Sequence, residues 1–159
     1  MNWNIKNFTG IIFLGISILF IQCGEDDEDF PLDGTILSMD EISGNWEATM
    51  VEFSSAAAGP VQTVEIIGAG GSFTLTIQTN GRFTMNLSIP GTTTEITGGQ
   101  LGFDEELLVV IYDEDPDEWE YFGIMLNNDE LLLTGPGTFD FDGDNIDESA
   151  FVALELERN

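Results

Sequence analysis

The sequence contains no histidine, one cysteine and three basic residues among 159. Each shortage removes a class of function. Without imidazole there is no usual general base, no Ser-His-Asp triad and no histidine-ligated metal. A single thiol supports neither an internal disulfide nor a cysteine-ligated zinc centre. Lys6, Arg82 and Arg158 stand against 30 acidic residues, for a formal net charge of −27. Phosphate binding needs clustered lysine and arginine, so nucleic acid is disfavoured as a partner, and so is a bare anionic membrane surface. Carboxylate pairs can cleave glycosides, but no spacing here singles out an acid and a nucleophile. The composition argues against an enzyme.

What is present is apolar and glycine-rich. Hydrophobic residues make up 42% of the chain and aromatics 11%, enough for one ordinary core. With 18 glycines and little helical charge periodicity, the balance favours β structure.

Residues 1–22 read as a targeting segment. A polar start, "MNWNIK", precedes the apolar run "FTGIIFLGISILFIQ". A membrane span takes about 20 apolar residues, so this shorter run suits a secretory signal; a retained anchor helix is the alternative. Cys23 ends the run and Gly24 follows at once. The junction resembles the lipobox of bacterial lipoproteins, which implies a thioether-linked lipid on Cys23. Each buried methylene of such a lipid contributes about 0.8 kcal/mol, so several acyl chains hold a domain on a bilayer. The bland reading is a free exported thiol. "GEDDED", residues 24–29, cannot bury apolar area and is expected to stay extended. An acidic stretch directly after the cysteine also resembles the export signal of Bacteroidetes-type surface lipoproteins, which implies a lipid-anchored protein on the outer face of the outer membrane. The organisation predicted is a signal at 1–22, an acidic tether at 23–37 and a folded domain at 38–159.

Ser38 and Glu41 have the spacing of a capping box, which predicts a short helical turn before Gly44. Eight β-type runs follow, at about 45–54, 72–78, 82–89, 92–98, 106–113, 117–126, 129–134 and 150–157, separated by Gly, Asn, Asp and Pro. No helical crossovers intervene, so an antiparallel barrel or sandwich is expected. In "GSFTLTIQTNGRFTMNLSI" the alternation fixes a register. A two-residue Asn80–Gly81 turn would set Ile77 against Thr84, apolar against polar. A three-residue loop, with Gly81 left-handed, pairs Ile77 with Phe83, Leu75 with Met85 and Phe73 with Leu87. In the last run Val152, Leu154, Leu156 and Arg158 share one face. An arginine there either finds an aromatic partner or reaches solvent as the chain end frays.

Gly44-Asn45-Trp46, opening the first run, resembles the G-x-W motif of lipocalins. The layout G-N-W … G-x-F … L-x-L … L-x-R is similar to the lipocalin-like domains of Bacteroidetes lipoproteins over roughly residues 38–158. The resemblance implies an eight-stranded up-and-down barrel, with Arg158 stacked on Trp46 to close its base and room inside for one small apolar ligand.

"DFDGDNIDE", residues 140–148, places Asp140, Asp142, Asp144 and Glu148 at alternating positions, with the backbone carbonyl of Ile146 between them. Calcium takes six to eight oxygens at flexible distances, and such a loop supplies them. The spacing resembles the calcium loops of integrin-type propeller repeats; the alternative is a solvated acidic turn. "DEDPDEWE", residues 113–120, reads as an exposed hairpin turn. The small-residue stretch 54–71 reads either as a loop leaning over the open end of a barrel or as an extra hairpin around Val61–Ile67. Two functions remain. One is a binding module for a small hydrophobic molecule. The other is an interaction protein contacting envelope proteins or glycans, its barrel plugged by Phe73, Leu75, Met85, Leu87 and Phe122. A cavity of several hundred Å³ favours the first.

Overall fold

The computed structural model describes residues 30–56, 59–92 and 94–159. Residues 1–22, read as a targeting segment, Cys23 and the acidic run 24–29 lie outside the described residues. The chain enters as an irregular strap, forms the four-residue helix α1 (Met39–Ile42) and then runs almost wholly as strand. The strands are β1 (Gly44–Ser55), β2 (Thr63–Glu65), β3 (Ser72–Ile77), β4 (Arg82–Ser88), β5 (Glu95–Asp104), β6 (Leu107–Tyr112), β7 (Asp115–Asn127), β8 (Glu130–Phe139) and β9 (Glu148–Arg158).

Each strand pairs antiparallel with the next from β3 to β9, and β1 pairs with both β3 and β9. The circuit is therefore an eight-stranded up-and-down barrel. Closure removes both free edges, which an acidic all-β chain would otherwise have to protect. The β3–β4 hairpin has the register read from its alternation: Ile77 faces Phe83, Leu75 faces Met85 and Phe73 faces Leu87. Gly81 has φ +81°, and its amide donates to the Gln78 carbonyl to shape the three-residue loop.

β1 carries an irregularity that the alternation alone does not announce. Trp46 and Ala48 are buried, and then the inward parity switches to Val51 and Phe53. The switch is a bulge against β9, where Ala48 faces Leu156 but Met50 faces Glu155, leaving Thr49 as the extra residue. β1 also changes partner along its length. Its Gly44–Glu47 end pairs with β3, and Glu52–Ser54 pairs with β2. The stretch after β1 thus realises the extra hairpin, with Ile66 folded back into the core at 1% exposure. Glu65 secures that fold-back by accepting from the amides of Val51, Ile67 and Gly68. These bonds, the Gly68 one foremost, hold its carboxyl below the ordinary value.

Two strands extend past the runs read in the sequence, for one physical reason. β5 continues through Gly98, Gly99 and Gly102 to Asp104, and β8 continues through Gly135-Pro136-Gly137 to Phe139. Glycine in these strands marks close approach, not a break. A Cβ at Gly102 would overlap Phe30 of the strap, and one at Gly135 would overlap the Phe122 ring. "DEDPDEWE" is not a long turn either. Only Asp113 and Glu114 turn, and β7 starts at Asp115. The register jumps from Ile111–Trp119 to Tyr112–Asp115, so residues 116–118 bulge around Pro116, which has no amide hydrogen to give the ladder.

Residues 30–37, read from sequence as the end of the tether, lie against the barrel. The Phe103 amide donates to the Pro31 carbonyl, and the Phe30 ring meets Trp119 edge-on at 5.0 Å. No helix among the described residues is long and apolar enough to cross a membrane.

Candidate functional site

One end of the barrel is sealed. Trp46 is 1% exposed, and its indole Nε1 donates to the Ile42 carbonyl at 2.9 Å. α1 packs Met39 and Ile42 into the same end, and its geometry is fixed by Glu41, whose carboxylate accepts from both the amide and the hydroxyl of Ser38. Arg158 lies opposite Trp46 on β9, its guanidinium carbon 4.2 Å from the ring centre. The same guanidinium donates to the Ser43 carbonyl at 2.5 Å and the Glu41 carbonyl at 2.8 Å, with Asp129 at 3.5 Å. One cation therefore ties together the helix, the first strand and the last.

Away from that seal the barrel is hollow. A cavity of about 530 Å³ is walled by Val51, Phe53, Phe73, Met85, Leu87, Phe122, Val152 and Leu154. This volume lies within the range of small-molecule sites. Of the five side chains large enough to plug the interior, Phe73, Met85, Leu87 and Phe122 line the space and leave it open; Leu75 is buried elsewhere in the core. Two glycines help keep the space. Gly135 gives up its side-chain room to the Phe122 ring, and Gly137, in the wall itself, places no side chain between Phe53 and Val152.

The polar part of the wall is small and combines hydroxyl groups, Thr138 and Ser149 among them, with two carboxylates. Glu95, Thr97, Tyr112 and Glu120 contribute to it. The Tyr112 hydroxyl donates to Glu120 Oε2 at 3.1 Å, and the Tyr112 ring meets Phe83 edge-on at 6.0 Å. Burial, then the Glu120 charge and this bond, push the Tyr112 phenol far above its ordinary value, so it remains a donor throughout the neutral range. The sequence reading did not single out Glu120, although a signal was there. Glu120 shares the parity of Phe122, Ile124 and Leu126, and a carboxylate in phase with an apolar strand face is out of place.

The acidic loop joins β8 to β9. One carboxylate oxygen from each of Asp140, Asp142, Asp144 and Glu148 lies within 4.8 Å of the others. Oxygens bound across a calcium ion at 2.3–2.6 Å are about 5 Å apart, so the spread fits a hard cation. Asp140 Oδ1 accepts from the amides of Gly143 (2.6 Å) and Asp144 (3.2 Å), and its Oδ2 from Asn145 at 2.8 Å. These bonds, led by that of Asn145, hold the Asp140 carboxyl below the usual carboxylate range. Asn145 has φ +66° and Gly143 φ +78°, the left-handed backbone that the tight loop requires. Ile146 is exposed in the same loop, its amide bonded to Asp144 at 2.8 Å. Glu148 also accepts from the Phe141 amide, and Phe141 packs through Phe139 onto Phe53 of the cavity wall. The cluster could hold a metal; exposed acidic groups of this kind are also common without one.

These features define an antiparallel eight-stranded β-barrel, closed at one end and hollow inside, compatible with a lipocalin-like fold. No protein-family model and no curated protein sequence matches the chain.

Proposed function

We propose that this protein is a cell-envelope lipoprotein whose lipocalin-like barrel binds a small hydrophobic molecule, without catalysing a reaction on it. The observation that carries the reading is the largely apolar cavity of about 530 Å³ beside a sealed barrel end. An interaction protein with a packed barrel has no use for such a space. Ligand sites are concave, mostly apolar spaces of this size with a few polar groups, which is how this wall is built. The lipobox-like junction at Cys23 and the acidic run behind it support reading the chain as lipid-anchored on the outer face of the outer membrane. Native mass spectrometry of the full chain, released from its own membranes, tests the binding function. A barrel carrying one co-purifying molecule of a few hundred daltons supports it, and a barrel of bare polypeptide mass from several preparations counts against it.

The loop of Asp140, Asp142, Asp144 and Glu148 is read as a calcium site, with the Ile146 carbonyl as a further ligand. Its support is the convergence of four carboxylates and their alternate spacing. Through Glu148 and Phe141 a bound ion would order one wall of the cavity. Calcium here is structural support, not a reactant.

A further inference from the structure

The charged side chains in the cavity wall, Glu95 and Glu120, are both acidic, set beside the neutral hydroxyls of Thr97, Tyr112, Thr138 and Ser149, and no cation in the wall balances them. Glu120 is half-buried among apolar side chains, with one oxygen taken by the Tyr112 hydroxyl. Glu95 adds a second carboxylate. Among the described residues the cations are Arg82 and Arg158, and neither lines the cavity. Arg82 is held by Asp113 in a two-point pair at 2.8 and 2.7 Å, and Arg158 is committed to the seal. A carboxylate head entering this space would meet like charge at Glu120 with no counter-ion in the wall. A neutral head loses little. A cationic head gains a partner already oriented by a phenol that stays protonated.

We propose that the cavity selects an ammonium group carried on an apolar body, received by the carboxylate of Glu120, over the carboxylate analogue of the same body. The proposal rests on the small-molecule reading above and narrows its ligand class to amines. Tyr112 is a positioning residue, because its hydroxyl fixes one oxygen of Glu120 and leaves the other for the ligand.

Three probes with one body and different heads separate the two readings: phenylbutylamine, phenylbutanol and phenylbutyrate. Each is titrated calorimetrically into the full chain in phosphatidylcholine nanodiscs, with empty nanodiscs subtracted. The expected order of affinity is amine, alcohol, carboxylate, with about a tenfold gap between amine and alcohol, as one partly shielded charge pair gives. Raising the salt should narrow the gap only slightly, since the pair is partly shielded from solvent. Glu120→Gln preserves shape and the bond from Tyr112. It should erase the amine's advantage while the alcohol's affinity stays within about twofold. If the alcohol binds and the amine binds no tighter, the amine inference is overturned and the cavity reading stands. An amine preference that survives Glu120→Gln overturns the assignment to Glu120. If none of the three probes binds, the cavity reading falls and the inference falls with it.

Discussion

Trp46 and Arg158 face each other across the β1–β9 seam, with the guanidinium 4.2 Å from the indole. They are 112 residues apart in sequence, so the contact is also where the barrel's first and last strands are tied. Arg158→Ala removes a cation–π contact and two charge-assisted bonds to the carbonyls of Ser43 and Glu41. With partial exposure discounted, the expected loss is about 2–3 kcal/mol. Arg158→Lys should recover less than half of it, because an ammonium cannot stack and reach both carbonyls at once. Urea unfolding at constant m-value measures the loss. A midpoint for Arg158→Ala equal to that of the parent would mean the seam contributes nothing.

Gly135→Ala is expected to be damaging although it adds one methyl group. That methyl would overlap the Phe122 ring, which must then move toward the cavity it lines. Overpacking of this kind costs about 1–3 kcal/mol. The variant should melt at lower temperature and bind apolar probes more weakly. The same change at exposed Gly59, where an added Cβ meets nothing within 4 Å, should leave both unaltered.

Tyr112 makes stability depend on alkaline pH. Burial and the Glu120 carboxylate raise its folded-state value above the ordinary phenol value of about 10. Ionisation is therefore easier in the unfolded chain. The stabilisation is whole below pH about 10 and is lost as pH rises through the folded-state value. Denaturant midpoints should fall above pH about 10. Tyr112→Phe should flatten that fall while lowering neutral-pH stability by about 1 kcal/mol, the worth of its bond to Glu120. Equal slopes in the two proteins would contradict the placement of the phenol.

Calcium should raise thermal stability if the acidic loop holds it. At free calcium a hundredfold above Kd the gain is about 2.7 kcal/mol. The paired substitution Asp142→Asn and Asp144→Asn should abolish the gain and leave the melting temperature in chelator nearly unchanged, since both side chains are exposed. A parent protein that melts identically in calcium and in chelator would make the loop a solvated acidic turn.

The barrel was legible in this sequence wherever side chains alternate, and obscured wherever glycine stands in for a side chain. Phe73, Leu75 and Ile77 against Phe83, Met85 and Leu87 fix a register before any coordinates. The far halves of β5 and β8 carry no such signal. Gly102 and Gly135 are small because Phe30 and Phe122 occupy their space, and those partners are remote in sequence. The parity switch at Thr49 was hidden for a related reason, because a bulge is defined by the neighbouring strand. Four carboxylates of the acidic loop could be read from spacing, since a nine-residue loop is local. The Glu120–Tyr112 pair joins β7 to β6 across a bulged turn, and spacing alone does not place such residues together.

The most direct test of the central claim is methyl NMR of the protein during titration with phenylbutanol. Val51, Leu87, Val152 and Leu154 line the cavity, whereas Ile42, Leu131 and Leu156 are core residues outside its wall. Saturable shifts confined to the first group are the predicted result. Shifts confined to exposed Ile96 and Met125, or no saturable shifts at all, would contradict a ligand-binding barrel.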